Sequence, residues 1–367
     1  MTESTLLGRA RDLLPAMVDA LEALVCAESP SDDLDACYAI ASEAVGIFEG
    51  WVPEPARVEV HDGRPVWRWG PDQPRVLLLG HLDTVWPVGT LARLPFTNDG
   101  ERVTGPGCFD MKAGVVQGWA ALALLGAPHD VGMLLTTDEE TGSWASREVI
   151  ALACARADAV IVLEPSLDGA LKTARKGTSW YRVALAGRAA HAGLDPTKGI
   201  NALLDASRLA LDATSWADEA AGTTVTPTIM HAGTTTNTVP AHAELSVDVR
   251  AWTAGEQQRI DALFRGWQAA GGSTVEIGGG IDRPALEESS AAELFARAQE
   301  AARRMGLAPL EGRAVGGASD GNLTAAAGVP TLDGLGAVGD GAHADHEWVS
   351  VPAMAERAAL LAAMVRR

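Results

Sequence analysis

The sequence predicts an α/β protein whose mostly parallel sheet is interrupted by a ferredoxin-like βαββαβ unit. Two patterns carry this expectation. Between Arg57 and Glu164 short apolar runs alternate with helical stretches, the grammar of helices packed on a parallel sheet. After Lys176 the order becomes strand, helix, strand, strand, helix, strand over roughly a hundred residues, the split βαβ arrangement. The α/β style returns beyond Arg283, so the smaller unit reads as an insertion: 1–176 and 285–367 form the main domain and 177–284 the inserted one.

Each element has its own local signal. RVEVH and VWRW flank an Asp62-Gly63 turn, a hairpin signature. RVLLLGHLD, VGMLLTT and ADAVIVLEP are short apolar runs suited to buried strands, while MKAGVVQGWAALALL and SWASREVIALACA read as helices. Within the insertion, TSWYRVALAG, TVTPTIMHAG, AELSVDVRAW and STVEIGG are strands, with helices around 198–213 and 255–269. SSAAELFARAQEAARRMG, PTLDGLG and VPAMAERAALLAAMVRR then give helix, strand and terminal helix. At the N-terminus, apolar residues at helical spacing are broken by Arg9, Arg11, Asp12, Asp19 and Glu22, so the segment reads as an ordinary first helix rather than a signal-peptide core.

A chain of 367 residues exceeds the usual size of one domain, and 47% hydrophobic residues are ample for a core. With 29 basic against 48 acidic residues the net charge is −19, which repels nucleic acid and anionic membrane surfaces. No uncharged apolar run approaches the length of a membrane span. Cys26, Cys37, Cys108 and Cys154 lie far apart without paired spacing, so a reduced thiol set and a cytoplasmic location are expected.

In open α/β sheets ligands sit beyond the carboxyl ends of the strands, and here the acids and histidines follow the strands directly. GHLDTV places His81 and Asp83 two apart at a strand end, where the pleat aims both side chains the same way. One can bind a metal while the other orients it. Asp110, in the glycine-rich turn GPGCFDMKAG before a helix, is placed either to cap that helix or to bridge two cations. Asp138, Glu139 and Glu140 end a strand with no basic residue before Arg147, and adjacent acids need a cation to offset their repulsion. Glu164 follows the apolar AVIVL run, and Pro165 turns the chain. His343 and His346 share the loop GDGAHADHEWV, and either can ligate on chemistry alone. Nitrogen and oxygen donors together suit zinc rather than calcium. Their number exceeds what one catalytic zinc uses, so two zinc ions per chain sharing a bridging carboxylate are expected.

As an ordered series HLDTV, GPGCFDMKAG, TTDEETG, VLEP, GRAAHAG, TNTVPAHAELSVDVR, GGASDGN and GAHADHEWV resembles the dizinc aminoacylase, acetylornithine deacetylase and carboxypeptidase G family of metallopeptidases. The resemblance spans nearly the whole chain and is nearest to glutamate carboxypeptidases of the carboxypeptidase G kind. It implies a dizinc catalytic domain with an inserted lid or dimerisation domain. Carried over residue by residue, it makes Asp110 the bridging ligand, His81 and Glu164 its partners on one zinc, and Glu140 and His343 its partners on the other. It makes Glu139 the general base, Asp83 the residue that orients His81, and His191 the polariser of the scissile carbonyl, commonly from the other subunit of a homodimer. His343 is preferred to His346 because the family's ligand precedes the acid of its loop, here Glu347, by four residues.

The resemblance further implies that Asn237 and Arg283 hold the substrate's free carboxylate, with Lys172 as a third group. Arg250 is another candidate, whose alternative is a salt bridge to Asp248. Cys108 reads as a packed thiol beside the ligand loop. The implied activity is zinc-assisted hydrolysis of an amide bond next to a free carboxylate in a small peptide or N-acyl amino acid, in particular release of a C-terminal residue such as glutamate. A deacylase of acetyl- or succinyl-amino acids would use the same metals. A non-catalytic zinc-binding protein on this scaffold would not require Glu139.

Overall fold

A computed structural model describes residues 2–366. The chain divides into two compact units, Arg175–Glu287 with 316–318 forming one and the remainder the other. The smaller unit starts two residues earlier and ends three later than 177–284, and it also takes in the glycine pair at 316–317.

The larger unit is organised by a six-stranded sheet in the order Arg57–His61, Arg64–Trp69, Val131–Thr136, Val76–His81, Ala159–Val162 and Thr331–Leu332. The last four run parallel to one another, whereas the first two form an antiparallel hairpin on one edge whose inner strand also pairs antiparallel with Val131–Thr136. That hairpin turns at Asp62 (φ 48°) and Gly63 (φ 79°), the paired positive φ values that a two-residue turn matched to strand twist requires. Val76–His81, Val131–Thr136 and Ala159–Val162 are buried at every position, as strands covered on both faces must be. The helix Ala113–Leu125 is likewise buried almost all round. Gly114 allows its close approach, since a Cβ there would lie 2.1 Å from the Leu163 carbonyl oxygen. The stretch Cys108–Leu125 is long and apolar enough to cross a membrane by composition, but 83% of it is packed inside the core.

Two expectations change in detail. The N-terminal segment forms two helices, Glu3–Asp12 and Leu14–Cys26, because Pro15 favours a helix start and disfavours continuation through the residue before it. PTLDGLG contributes only the two-residue strand Thr331–Leu332, since Gly334 turns the chain at φ 80°. A small antiparallel sheet of Gly339–Asp340, Trp348–Ser350, Arg102–Thr104 and Thr97–Asn98 adds to what the sequence suggested.

The smaller unit is the expected βαββαβ arrangement. Its antiparallel sheet runs Thr224–Ala232, His242–Ala251, Gly177–Ala186, Thr274–Arg283. The connecting helices are Ala202–Ser215 and Ala254–Gly266. Tyr181, Val183 and Leu185 alternate inward with Leu245, Val247 and Val249, and Tyr181 stacks on Phe264 with ring centroids 3.8 Å apart. Asp205 is fully buried and accepts from Ser273 Oγ at 2.7 Å, Gly271 N at 2.8 Å, Ser273 N at 3.2 Å and Arg208 Nη1 at 2.9 Å. Burial alone would raise its pKa, but these donors outweigh it and hold the carboxyl below the ordinary value near 3.8.

Asp205→Ala strands these donors and is expected to lower the unfolding free energy by about 2–3 kcal/mol near neutral pH, read by urea denaturation. Because the folded carboxyl titrates below an unfolded one, its contribution is full above the ordinary Asp value and is lost as pH falls through the folded value. The gap between wild type and variant should therefore narrow in strong acid. A gap unchanged between neutral and strongly acidic pH would count against a charged Asp205 as its source.

Candidate metal centre

The strand Val76–His81 ends on His81, whose side chain is 1% exposed. Its Nδ1 lies 2.9 Å from the Asp83 carbonyl oxygen. A carbonyl can only accept, so the neutral ring carries its proton on Nδ1 and presents a bare Nε2. Asp83 thus orients His81 as expected, but chiefly through its main chain, for its carboxylate Oδ1 is 3.5 Å away. The other oxygen of that carboxylate accepts from Ser31 Oγ at 2.7 Å and from the Glu140 amide at 3.1 Å. One aspartate therefore fastens the His81 strand end to the Glu139-Glu140 turn.

His81 Nε2 lies 3.4 Å from Asp110 Oδ1 and 3.5 Å from Glu164 Oε1. His343 Nε2 lies 3.5 Å from Asp110 Oδ2 and 3.1 Å from Glu140 Oε2. Two donor groups result, His81-Asp110-Glu164 and Asp110-Glu140-His343, with opposite oxygens of Asp110 facing the two histidines. The neighbouring ligand atoms of a tetrahedral site with bonds of about 2.0–2.1 Å stand roughly 3.3–3.4 Å apart, and the four histidine–carboxylate distances here, 3.1–3.5 Å, bracket that spacing. His81 Nε2 and Asp110 Oδ1 are buried and have no hydrogen-bond partner, a state a shared cation would relieve. The residues present fit a pair of divalent metals that take nitrogen and oxygen ligands.

Asp110 is not used as a helix cap. The helix after it begins at Ala113 without a side-chain cap, and Asp110 itself has the non-helical φ/ψ of −112° and 94°. Lys112, also buried, turns away to donate to Leu24 O at 2.8 Å and Ala27 O at 3.0 Å, closing the end of Leu14–Cys26. Cys108 is fully buried and its thiol pKa is pushed up by burial, so it is packed in the core as expected.

Electrostatics agree with the geometry. Burial would lower His81, but the Asp110, Asp83 and Glu164 carboxylates overcome it and drive its pKa well up. Asp110 and Glu140 push His343 up to about 10. Burial would raise Asp110, yet His343 and His81 hold it far below the usual carboxylate range. Glu140 is raised, first by burial and then by the charge of Asp110. Lys172 Nζ sits 3.6 Å from Glu164 Oε2, beside this centre.

Glu139 and Glu140 lie in the single turn Glu139–Thr141, and that turn is pinned from several sides. Asp138, expected to share the need for a cation, is satisfied instead by Ala145 N at 2.9 Å, Ser146 N at 3.3 Å and Ser146 Oγ at 2.6 Å. Ser143, at φ 54°, hydrogen-bonds the buried Asp320, which also accepts from Thr136 Oγ1. His346 is exposed, whereas His343 faces the carboxylates.

Sequence reasoning used Glu347 only as a spacing mark. It is 3% exposed and accepts four hydrogen bonds, including the Asp110 amide at 3.0 Å. An acid beside a histidine-bearing loop was its sole signal, and nothing local named its distant donors.

His191, Asn237, Arg250 and Arg283 belong to the smaller unit. There His191 Nδ1 accepts from the Gly193 and Leu194 amides at 3.1 and 3.2 Å, which leaves the proton of the neutral ring on Nε2. Its segment is bridged to that of Asn237 by Ala192 N to Asn237 O and Val239 N to Ala190 O, both at 2.9 Å. Arg250 makes a two-pronged pair with Asp248 at 2.9 and 3.0 Å, the alternative the sequence left open. Arg283 is buried at 4% exposure.

Comparison with known proteins matches residues 77–367 to the model of peptidase family M20/M25/M40. Carboxypeptidase G2 of a Pseudomonas species is 30% identical over 99% of this chain and 92% of its own. Among solved structures, the aminopeptidase PepT of Bacillus cereus superposes with TM-score 0.74 at 21% identity, covering 96% of this chain and 98% of that one. A metallo-carboxypeptidase of Sulfolobus solfataricus superposes with TM-score 0.70 at 16% identity, covering 95% and 98%. Fold, ligand geometry and sequence agree: this chain belongs to peptidase family M20/M25/M40.

Proposed function

We propose that the chain is a zinc-dependent carboxypeptidase that cleaves an amide bond adjoining a free carboxylate and releases a C-terminal residue such as glutamate from a small peptide or N-acyl substrate. The observation that carries this reading is the pair of donor groups sharing Asp110, with Glu139 one residue before a ligand of that pair. The similarity to carboxypeptidase G2 along 99% of the chain supports the substrate class.

Two zinc ions, when bound, polarise the scissile carbonyl and lower the pKa of a water. His81, Asp110 and Glu164 would hold one, and Asp110, Glu140 and His343 the other. Glu139 takes the proton of the attacking water and returns it to the leaving amine. The bonds of Asp83, Asp138 and Asp320 keep the Glu139 turn in place for both transfers. His191, with Nδ1 occupied by two amides, offers Nε2–H to the developing oxyanion, whether in its own subunit or across a dimer. Asn237 and Arg283 grip the carboxylate, with Lys172 near Glu164 as a third donor. Arg250 is less available because Asp248 already engages it.

A homodimer through the inserted unit accords with its edge strand Thr224–Ala232, which exposes Ile229 and Met230 and has no outer partner among the described residues. A cytoplasmic location accords with four unpaired cysteines.

Metal analysis of zinc-loaded protein should return two ions per chain, and chelation should abolish hydrolysis until zinc is restored; a single ion at saturation would defeat the two-metal reading. Glu139→Gln should retain both ions yet lose about three or more orders of magnitude in kcat. Normal turnover in that variant would remove Glu139 from the base role. For carboxylate recognition, Arg283→Ala should lower kcat/KM on acid substrates by about thirtyfold or more, while wild type assayed on the C-terminal amide falls to the same level. Equal losses on acid and amide would make Arg283 structural. A panel of C-terminal dipeptides and N-acyl amino acids separates a carboxypeptidase from a deacylase by which product is freed.

A further inference from the structure

The two donor groups are built differently. His81 ends a strand paired on both sides, and Glu164 follows the strand Ala159–Val162, so the framework of the sheet fixes both. His343 instead occupies a loop in the left-handed conformation at φ 61°, closed by Ala344 N to Gly341 O at 2.9 Å and Glu347 N to Ala344 O at 3.0 Å. Asp110 also lies in a loop, between Arg102–Thr104 and Ala113–Leu125. Both loops leave from one short antiparallel pair, Trp348 opposite Thr104 and Val349 opposite Val103.

Glu347 closes that fork. Its Oε1 accepts from Phe109 N at 2.9 Å and Asp110 N at 3.0 Å, and its Oε2 from Gly107 N at 2.8 Å and Trp86 Nε1 at 3.0 Å. Four donors, two on each oxygen, satisfy the carboxylate in full, so it has neither need nor room to ligate. It binds the loop of His343 to the loop of Asp110 and to the segment that follows His81.

We propose that Glu347 is a positioning residue that sets the affinity of the metal held by Asp110, Glu140 and His343, leaving the strand-built position of His81, Asp110 and Glu164 the tighter of two unequal sites. The proposal rests on the two-metal reading. Glu347→Gln preserves size but sets an amide N–H₂ against two of the four donors and removes the charge that the others stabilise. The fork then loosens at its loop side, which carries two ligands of one site, Asp110 and His343, but only the shared Asp110 of the other, while the sheet still holds His81 and Glu164.

The test is isothermal titration of metal-free, full-length protein with Zn²⁺, repeated with Co²⁺ followed by its visible absorption. Wild type should give two unequal dissociation constants. In Glu347→Gln the weaker constant should rise about 10–100-fold and the tighter one should stay within a few-fold, with the second Co²⁺ equivalent losing absorption intensity. His343→Ala should delete the weaker event altogether and identify it. If Glu347→Gln does not fold, Trp86→Phe, which removes one donor and keeps the charge, should weaken the same constant alone by a few-fold. Equal changes at both positions, or none at the weaker, would overturn the role of Glu347. Binding of one metal only by wild type would instead overturn the two-metal reading beneath it.

Discussion

Asp110, Glu140 and Glu164 converge with two imidazoles on a space a few ångströms across. Two like charges about 4 Å apart cost roughly 4 kcal/mol at an effective dielectric of about 20, and burial adds to this. Such a cluster is stable only with positive charge inside it. Protons can provide some, which is why the carboxylates drive His81 and His343 upward and why those histidines hold Asp110 down. A metal must displace those protons to bind, so affinity and protonation compete for the same ring nitrogens. The fold's task is to keep these groups together against their own repulsion.

It does so by sorting its acids into two kinds. Asp83, Asp138 and Glu347 are buried carboxylates whose charges are met by amide, hydroxyl or indole donors, so they behave as fasteners. Asp110, Glu140 and Glu164 face histidine nitrogens instead and have mutual repulsion left to settle. The fasteners sit close to candidate ligands in the chain: Asp138 beside Glu139 and Glu140, Asp83 two residues after His81, Glu347 four after His343. The segments of His81, Glu140 and His343 thus each carry an anchor of their own, and the one in the His343 segment, Glu347, also holds the Asp110 loop.

The sheet was legible because its signals are local. Fully apolar runs of four to six residues ending on His81, or shortly before Glu139 and Glu164, can hardly be anything but buried strands. The alternation in Gly177–Ala186 and His242–Ala251 likewise marks a sheet with one covered face. The candidate ligands His81, Glu140 and Glu164 were legible because they sit at or just after those strand ends, and Asp110 and His343 because the ordered series resembles a known family. What escaped was non-local. Asp138 and Glu140 look alike in TTDEETG, and only the distant partners, amides for one and His343 for the other, tell them apart. Glu347 draws donors from residues some 240 positions away, and no spacing rule links them. The break at Leu13, by contrast, is signalled locally by Pro15, although the apolar spacing runs straight through it.

The net charge of −19 bears on how a carboxylate-bearing substrate would be held. A field of that sign opposes approach of an anion at long range, but at physiological ionic strength it is screened within about 8 Å. Recognition is therefore decided by donors in contact with the substrate. In the proposed grip two of them, Asn237 and Arg283, come from the smaller unit, where a short antiparallel bridge between 190–192 and 237–239 holds the segments of His191 and Asn237 side by side. In the proposed roles, a carbonyl-polarising His191 and a carboxylate-binding Asn237 fixed to each other in this way would set a constant distance between the two ends they address. Under the proposed function, selectivity for an amide one residue from a free acid would follow from that spacing rather than from long-range attraction.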